Sequence, residues 1–201
     1  MTAPLDLNGA QLWKALLDRA EQTALVADLR DLARGAPFQI YETPGGKRMS
    51  VQMSGAGAKV WTADRTGYRY VERQPDGAVW PEIPDRLLKV WRMVSGVDRA
   101  PDSCLINFYG EEAKMGLHQD KDEADTTWPV VSISLGDEAQ FRVGGLLRRD
   151  PTKSVWLKSG DVVVLTGPSR LAYHGIDRIK YRSSTLLERG GRINITLRIS
   201  G

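Results

Sequence analysis

Only two histidines occur in this chain of 201 residues, and one stands two positions before a carboxylate, in His118-Gln119-Asp120. On extended backbone, residues two apart share a face, so His118 and Asp120 would project together. His174 follows 54 residues after Asp120, near the end of the segment DVVVLTGPSRLAYHG, residues 161–175. Two imidazoles and one carboxylate make the three-ligand facial set that holds non-haem Fe(II). Such a set leaves open positions for a chelating co-substrate and for dioxygen. Alone, the pattern is weak, because a histidine near a strand end is more often a hydrogen-bonded structural residue. The surrounding segment adds weight: it places His174 one short strand after an apolar one, as if strands of two sheets converged there.

The last strand-like run, Arg192-Ile193-Asn194-Ile195-Thr196-Leu197-Arg198-Ile199, alternates strictly between polar and aliphatic residues. One face is apolar, and the other bears two guanidinium groups, an amide and a hydroxyl. An edge strand with one solvated face is the commoner explanation of such a pattern. The arginines suggest more. Their backbones lie ~20 Å apart on a strand. Leaning inward, two guanidinium groups leave a gap suited to a short dicarboxylate such as 2-oxoglutarate, each clamping one end by paired hydrogen bonds. Asn107 and Tyr109, two apart in Leu105-Ile106-Asn107-Phe108-Tyr109, add an amide and a phenol on one face.

These groups need a frame. Leu25, Val26, Leu29, Leu32 and Ala33 recur at helical spacing before Gly35, and Leu87, Leu88, Trp91 and Val94 do so between Pro84 and Gly96. Ile40 to Met53 reads as a hairpin around Thr43-Pro44-Gly45-Gly46. From Ser103 onward the chain breaks into short apolar or alternating runs separated by glycine-containing turns. Two helices followed by many short strands predict an α+β, mainly β domain: a double-sheet jelly roll with helices packed outside. Without repeats or linkers, residues 1–201 read as one domain. Composition, 41% hydrophobic and 26% charged, suits a globular protein with no bilayer-spanning run. The amino terminus lacks a signal-peptide pattern, so a cytoplasmic location is expected; the chain is also expected to be a monomer. The single cysteine, Cys104, excludes an internal disulfide and reads as a small buried hydrophobe. The net charge of +3 is uneven: residues 1–140 carry 16 basic and 21 acidic side chains, residues 141–201 carry 12 and 4. Such a basic third suits either a polyanion partner or a solvated arginine face.

The motifs CLINFY, LHQDKDE, VVSISLG, FRVGGL, GDVVVL, SRLAYHG and RINITLR follow one another in the order and near the spacing of a known family. The chain closely resembles the AlkB family of Fe(II)- and 2-oxoglutarate-dependent dioxygenases from the Thr43–Gly46 turn to about Arg198. The resemblance implies a double-stranded β-helix core over about 103–201 and a nucleotide-recognition lid over about 40–80. It implies iron held by His118, Asp120 and His174, and 2-oxoglutarate held by Asn107, Tyr109, Arg192 and Arg198, with Asn194 nearby. Arg192 would take the distal carboxylate and Arg198 the one beside iron. Trp61 and Tyr68 match the aromatic residues that hold a flipped-out base. Asp122 matches a carboxylate facing the exocyclic nitrogen of the damaged base, Arg148 a basic residue near it, and Lys47 and Arg48 could meet phosphates. Lys47 stands where a close relative has an aromatic, and Leu165 replaces a large aromatic. Both departures bear on base preference rather than on the iron ligands. The implied activity is oxidative removal of methyl groups from bases such as 1-methyladenine and 3-methylcytosine in DNA, single strands preferred. Formaldehyde, succinate and carbon dioxide are released. Action on RNA, protein or a small metabolite by the same fold is the alternative, and a non-catalytic nucleic-acid-binding module is disfavoured by the intact ligand set.

Overall fold

The computed structural model describes residues 3–201. The first helix, α1 (Arg19–Gly35), starts at a capping box in which Asp18 accepts from the Glu21 N–H and Glu21 accepts from the Asp18 N–H. It buries Leu25, Val26, Leu29 and Leu32, and stops at Gly35 as the periodicity predicts. The second helix, α2 (Asp85–Val94), begins after Pro84 and buries Leu87, Val90, Trp91 and Val94. Among the described residues, neither helix nor any other is long and apolar enough to cross a membrane.

Thirteen strands complete the fold among the described residues. The amino-terminal pair is β1 (Leu5–Leu7) and β2 (Ala10–Trp13). Next come β3 (Gln52–Gly57), β4 (Val60–Asp64) and β5 (Gly67–Val71). The rest are β6 (Ser103–Tyr109), β7 (Met115–His118), β8 (Val130–Gly136), β9 (Glu138–Val143), β10 (Lys153–Leu157), β11 (Val162–Leu165), β12 (His174–Lys180) and β13 (Arg192–Arg198). The major sheet runs β1-β2-β11-β8-β13-β6-β3, the minor sheet β10-β9-β12-β7, and β4 and β5 form a separate hairpin. From β6 onward the chain passes repeatedly between the two sheets, and every strand pairing is antiparallel. This is the predicted jelly roll. The buried faces of α1 and α2 join the same apolar cluster as Ile193, Ile195 and Leu197.

Three expectations change in detail. The alternating last strand is no edge strand: β13 lies between β8 and β6, and all seven of its residues are buried. Its polar face is therefore shielded from bulk water. Asp120 does not share a strand with His118, because β7 ends at His118 and Asp120 sits in the loop beyond. The hairpin of residues 40–53 is reduced to isolated pairings, Gln39 with Met53 and Glu42 with Arg48, closed by the Thr43–Lys47 turn.

One corner ties the sheets together. A single residue, Asp137, separates β8 in the major sheet from β9 in the minor sheet. Gly136 before it takes φ +86, where a Cβ would strike the Gly191 carbonyl. The buried Asp137 carboxylate accepts from the backbone N–H groups of Arg182 (2.9 Å), Ser184 (2.9 Å) and Gly191 (2.6 Å).

Candidate active site

His118 and His174 end their journeys as direct cross-strand partners, β7 against β12, with ring centroids 4.4 Å apart. Asp120 completes the group: its Oδ1 lies 3.8 Å from His118 Nε2 and its Oδ2 3.7 Å from His174 Nε2. One potential ligand atom from each residue falls within 4.8 Å of the others. Each imidazole donates its Nδ1–H to a backbone carbonyl, His118 to Gly116 and His174 to Ala172, both at 2.9 Å. That bond selects the tautomer whose Nε2 lone pair faces Asp120, the arrangement a metal ion requires. Burial and the neighbouring His118 bring the His174 imidazole down to about 4, against the pull of Asp120. It is neutral at physiological pH and free to coordinate.

Burial alone would raise the Asp120 carboxyl, but Arg198 and the two imidazoles outweigh it and hold it well below the usual carboxylate range. Arg198 Nη2 lies 2.9 Å from Asp120 Oδ2, and its Nε 3.2 Å from Glu123 Oε1. Glu123 is buried and also meets Arg170 Nη2 at 3.1 Å and the Tyr70 hydroxyl at 2.7 Å. Arg170 returns to the ligand loop by donating to the Asp120 carbonyl at 2.6 Å. The metal carboxylate is thus held by a closed network of two arginines and a second acid.

Arg192 is different. It is 1% exposed, donates to Ser134 Oγ at 3.1 Å, and has no partner for Nε or Nη1. Its guanidinium lies 5.1 Å from the Tyr109 ring centroid. A buried guanidinium with unsatisfied N–H groups is costly unless an anion completes it, and a carboxylate matches its fork geometry. The Asn107 Oδ1 is likewise buried without a partner, and Tyr109 donates only to the Met115 thioether at 3.7 Å. The unpartnered Arg192 nitrogens fit an oxygen-rich dicarboxylate beside the three metal ligands; the Asn107 amide would meet such a ligand only through its Nδ2–H donors, since its Oδ1 accepts. Asn194 faces the same cavity, with its amide donating to Ser132 Oγ and to the Ile133 carbonyl.

The cavity has a volume of about 800 Å³, the size of a small-ligand site. Every candidate ligand and binding residue named in the sequence lines it, from the metal ligands to Trp61, Tyr68, Asp122, Arg148, Lys47 and Arg48. Trp61 on β4 and Tyr68 on β5 stack at 5.4 Å between centroids, 17° between planes. Trp61 Nε1 donates to Asp122 Oδ2 at 2.7 Å, so the carboxylate also fixes the aromatic wall. Arg148 donates to the Leu117 carbonyl at 2.8 Å and lies over the Tyr173 ring. Leu165 is buried and lines the cavity, adding an apolar wall where a larger ring would leave less room. Cys104 is fully buried, and burial pushes its thiol up to about 12, consistent with a packing role.

Sequence reasoning missed Tyr70, Glu123, Arg170 and Ser134. Tyr70 carried a signal, because it shares a strand face with Tyr68 and pairs directly with Trp61. Glu123 and Arg170 carried none of their own, since their partners lie 47 residues apart in the chain.

The sequence family described as the 2OG-Fe(II) oxygenase superfamily matches residues 9–198. An alpha-ketoglutarate-dependent dioxygenase AlkB homolog of Caulobacter vibrioides is 53% identical over 191 residues, covering 94% of this chain and 87% of the relative. The alpha-ketoglutarate-dependent dioxygenase AlkB of Escherichia coli is 42% identical, covering 98% and 93%. Among solved structures, OsALKBH1 superposes with a TM-score of 0.81 at 34% identity, covering 96% of this chain and 97% of the other.

Proposed function

Because the chain belongs to the AlkB dioxygenases of the 2OG-Fe(II) oxygenase superfamily, we propose that it oxidatively removes small alkyl groups from the ring nitrogens of nucleic-acid bases, 1-methyladenine and 3-methylcytosine in DNA among them. The observation that carries the base assignment is the Trp61–Tyr68 stack, pinned by Asp122 and lining the cavity that contains His118, Asp120 and His174.

In this reading His118, Asp120 and His174 hold Fe(II), and Arg192, Asn107 and Tyr109 receive 2-oxoglutarate. Bound together, these two supply the oxidising chemistry: dioxygen converts 2-oxoglutarate to succinate and carbon dioxide, and the N-methyl carbon gains a hydroxyl and leaves as formaldehyde. The chain's own residues position the reactants. A base reaches such a cavity only after leaving its stack, and the Trp61–Tyr68 wall offsets part of that cost, each stacked base typically contributing ~1–3 kcal/mol. The Asp122 carboxylate complements a base that methylation has made cationic. Arg198 keeps Asp120 ionised and aimed, while Gly116 and Ala172 orient the imidazoles. Lys47, Arg48 and Arg148 supply positive charge for phosphates, and single strands are favoured because no pairing has to be broken first.

The test is release of formaldehyde and succinate from methylated DNA, matched methylated RNA and unmethylated DNA at one ionic strength. Methylated DNA should yield formaldehyde, unmethylated DNA none, and His118→Ala/His174→Ala should be inactive on all. Equal, negligible release from all three substrates, with iron and 2-oxoglutarate demonstrably bound, would sink the repair reading and leave a small-metabolite substrate in its place.

A further inference from the structure

The link between β9 and β10 displays four consecutive exposed side chains, Leu146, Leu147, Arg148 and Arg149. Leu146 is 57% exposed and Leu147 54%. The other large exposed aliphatic residues, Leu5, Ile40, Val79 and Met93, are scattered singly, which is ordinary for a protein surface. An adjacent pair on a turn is not.

Nor is the turn loose. Its base continues the β-ladder past His174: the Gly144 N–H donates to the Tyr173 carbonyl (2.8 Å) and the Tyr173 N–H to Gly145 (2.9 Å). Its tip is closed by Leu147 N–H to Asp150 Oδ2 (2.8 Å) and Asp150 N–H to the Leu147 carbonyl (3.0 Å). A Cβ at Gly145 would meet the Asp150 carboxylate, which would have to shift from its bond with the Leu147 N–H. Arg148 reaches back to the Leu117 carbonyl, next to His118, and lines the cavity. Two apolar side chains are therefore held in water by a hydrogen-bonded frame tied to Tyr173 and Leu117, the residues next to His174 and His118, with a guanidinium beside them.

Resting on the base-repair reading above, we infer that Leu146 and Leu147 form a wedge that enters a double-stranded substrate beside the extruded base. Flipping leaves a gap in the stack, and apolar side chains fill such gaps in proteins that part base steps. Arg148 and the exposed Arg149 suit the flanking phosphates, which fix register on the duplex without reading sequence. A preformed turn loses little conformational freedom when it inserts. The wedge serves duplexes alone, since a single strand has no stack to hold open.

The experiment compares the wild-type protein with Leu146→Ser/Leu147→Ser on the same methylated oligonucleotide, single-stranded and annealed. 2-Aminopurine placed opposite the lesion reports unstacking in an anaerobic complex without turnover. Both leucines are exposed, so the fold should survive, and unchanged single-strand activity verifies it. Demethylation of the duplex should fall about tenfold, and the 2-aminopurine signal seen with wild type should be lost. Unchanged duplex activity in the variant would overturn the wedge while leaving the repair reading intact, as would an equal loss on both substrates. A wild-type protein inactive on both forms would remove the repair reading and the wedge with it.

Discussion

At the scale of single residues, the two arginines of β13 look alike in sequence but occupy different electrostatic settings. Arg198 is ion-paired with Asp120 and Glu123 and has only its Nε short of a hydrogen bond, whereas Arg192 has no ion-pair partner and keeps two buried nitrogens unbonded. Arg192→Ala should therefore act on co-substrate binding. Losing one side of a buried charge pair typically costs several kcal/mol, so the 2-oxoglutarate requirement should rise roughly a hundredfold or more while nucleic-acid binding hardly changes. Arg198→Ala should raise that requirement too, but it also strips Asp120 of its paired cation and leaves Glu123 with Arg170 alone. Lower iron affinity and a lower melting temperature should accompany it. Titrating 2-oxoglutarate against succinate formation, with metal binding followed by calorimetry, separates the two. Identical 2-oxoglutarate dependence, iron affinity and melting temperature in the two variants would contradict this division of labour.

At the scale of elements, the β4–β5 hairpin is joined to the ligand loop by two side-chain bonds, Trp61 to Asp122 and Tyr70 to Glu123. Register explains the pairing: Trp61 lies opposite Tyr70 and diagonal to Tyr68, so all three share one face of the hairpin. Asp122 consequently has two separable duties, charge and support. Asp122→Asn keeps an oxygen to accept the indole N–H but removes the negative charge. Formaldehyde release from cationic 1-methyladenine and 3-methylcytosine should drop about tenfold, the scale of one charge-assisted contact, with a neutral alkylated base little affected. Asp122→Ala should lower activity on both, because the wall is no longer held. Equal effects of Asn and Ala on the neutral base would show that Asp122 does not support Trp61.

At the scale of the whole molecule, the site depends on two sheets keeping their relative position. Asp137 secures that corner by accepting from three backbone N–H groups on two separate segments, 182–184 and Gly191. Replacing it with Ala leaves three backbone donors without their acceptor, that of Gly191 buried, at a cost of about 3 kcal/mol. For a chain of this length the melting midpoint should fall by roughly 10 °C, measurable by circular dichroism. A shift under about 2 °C would mean that water or a local rearrangement satisfies those donors, and that the corner rests on packing instead.

Several features were readable from residue order alone because they are local. Helical spacing located α1 and α2, and the alternation of β13 identified which of its side chains share a face. The His118–Asp120 pair with a later His174 marked the metal chemistry. Asn8-Gly9 is a two-residue hairpin signal of the same local kind, and the unpredicted β1–β2 pair turns there, with φ +56 and +84. Other features were settled only in three dimensions. Periodicity tells which side chains point the same way, but not which other face they meet. That depends on strand order and register, which join residues distant in the chain. A seven-stranded sheet placed β13 at a buried position between β8 and β6, and so turned a polar strand face into a cavity wall. The same topology carried Arg198 to Asp120 and Glu123, Tyr70 to Glu123, and Trp61 to Asp122. Residue types determined what chemistry was available; the folding of the sheets decided which charges are spent on each other and which, like Arg192, are left for a ligand.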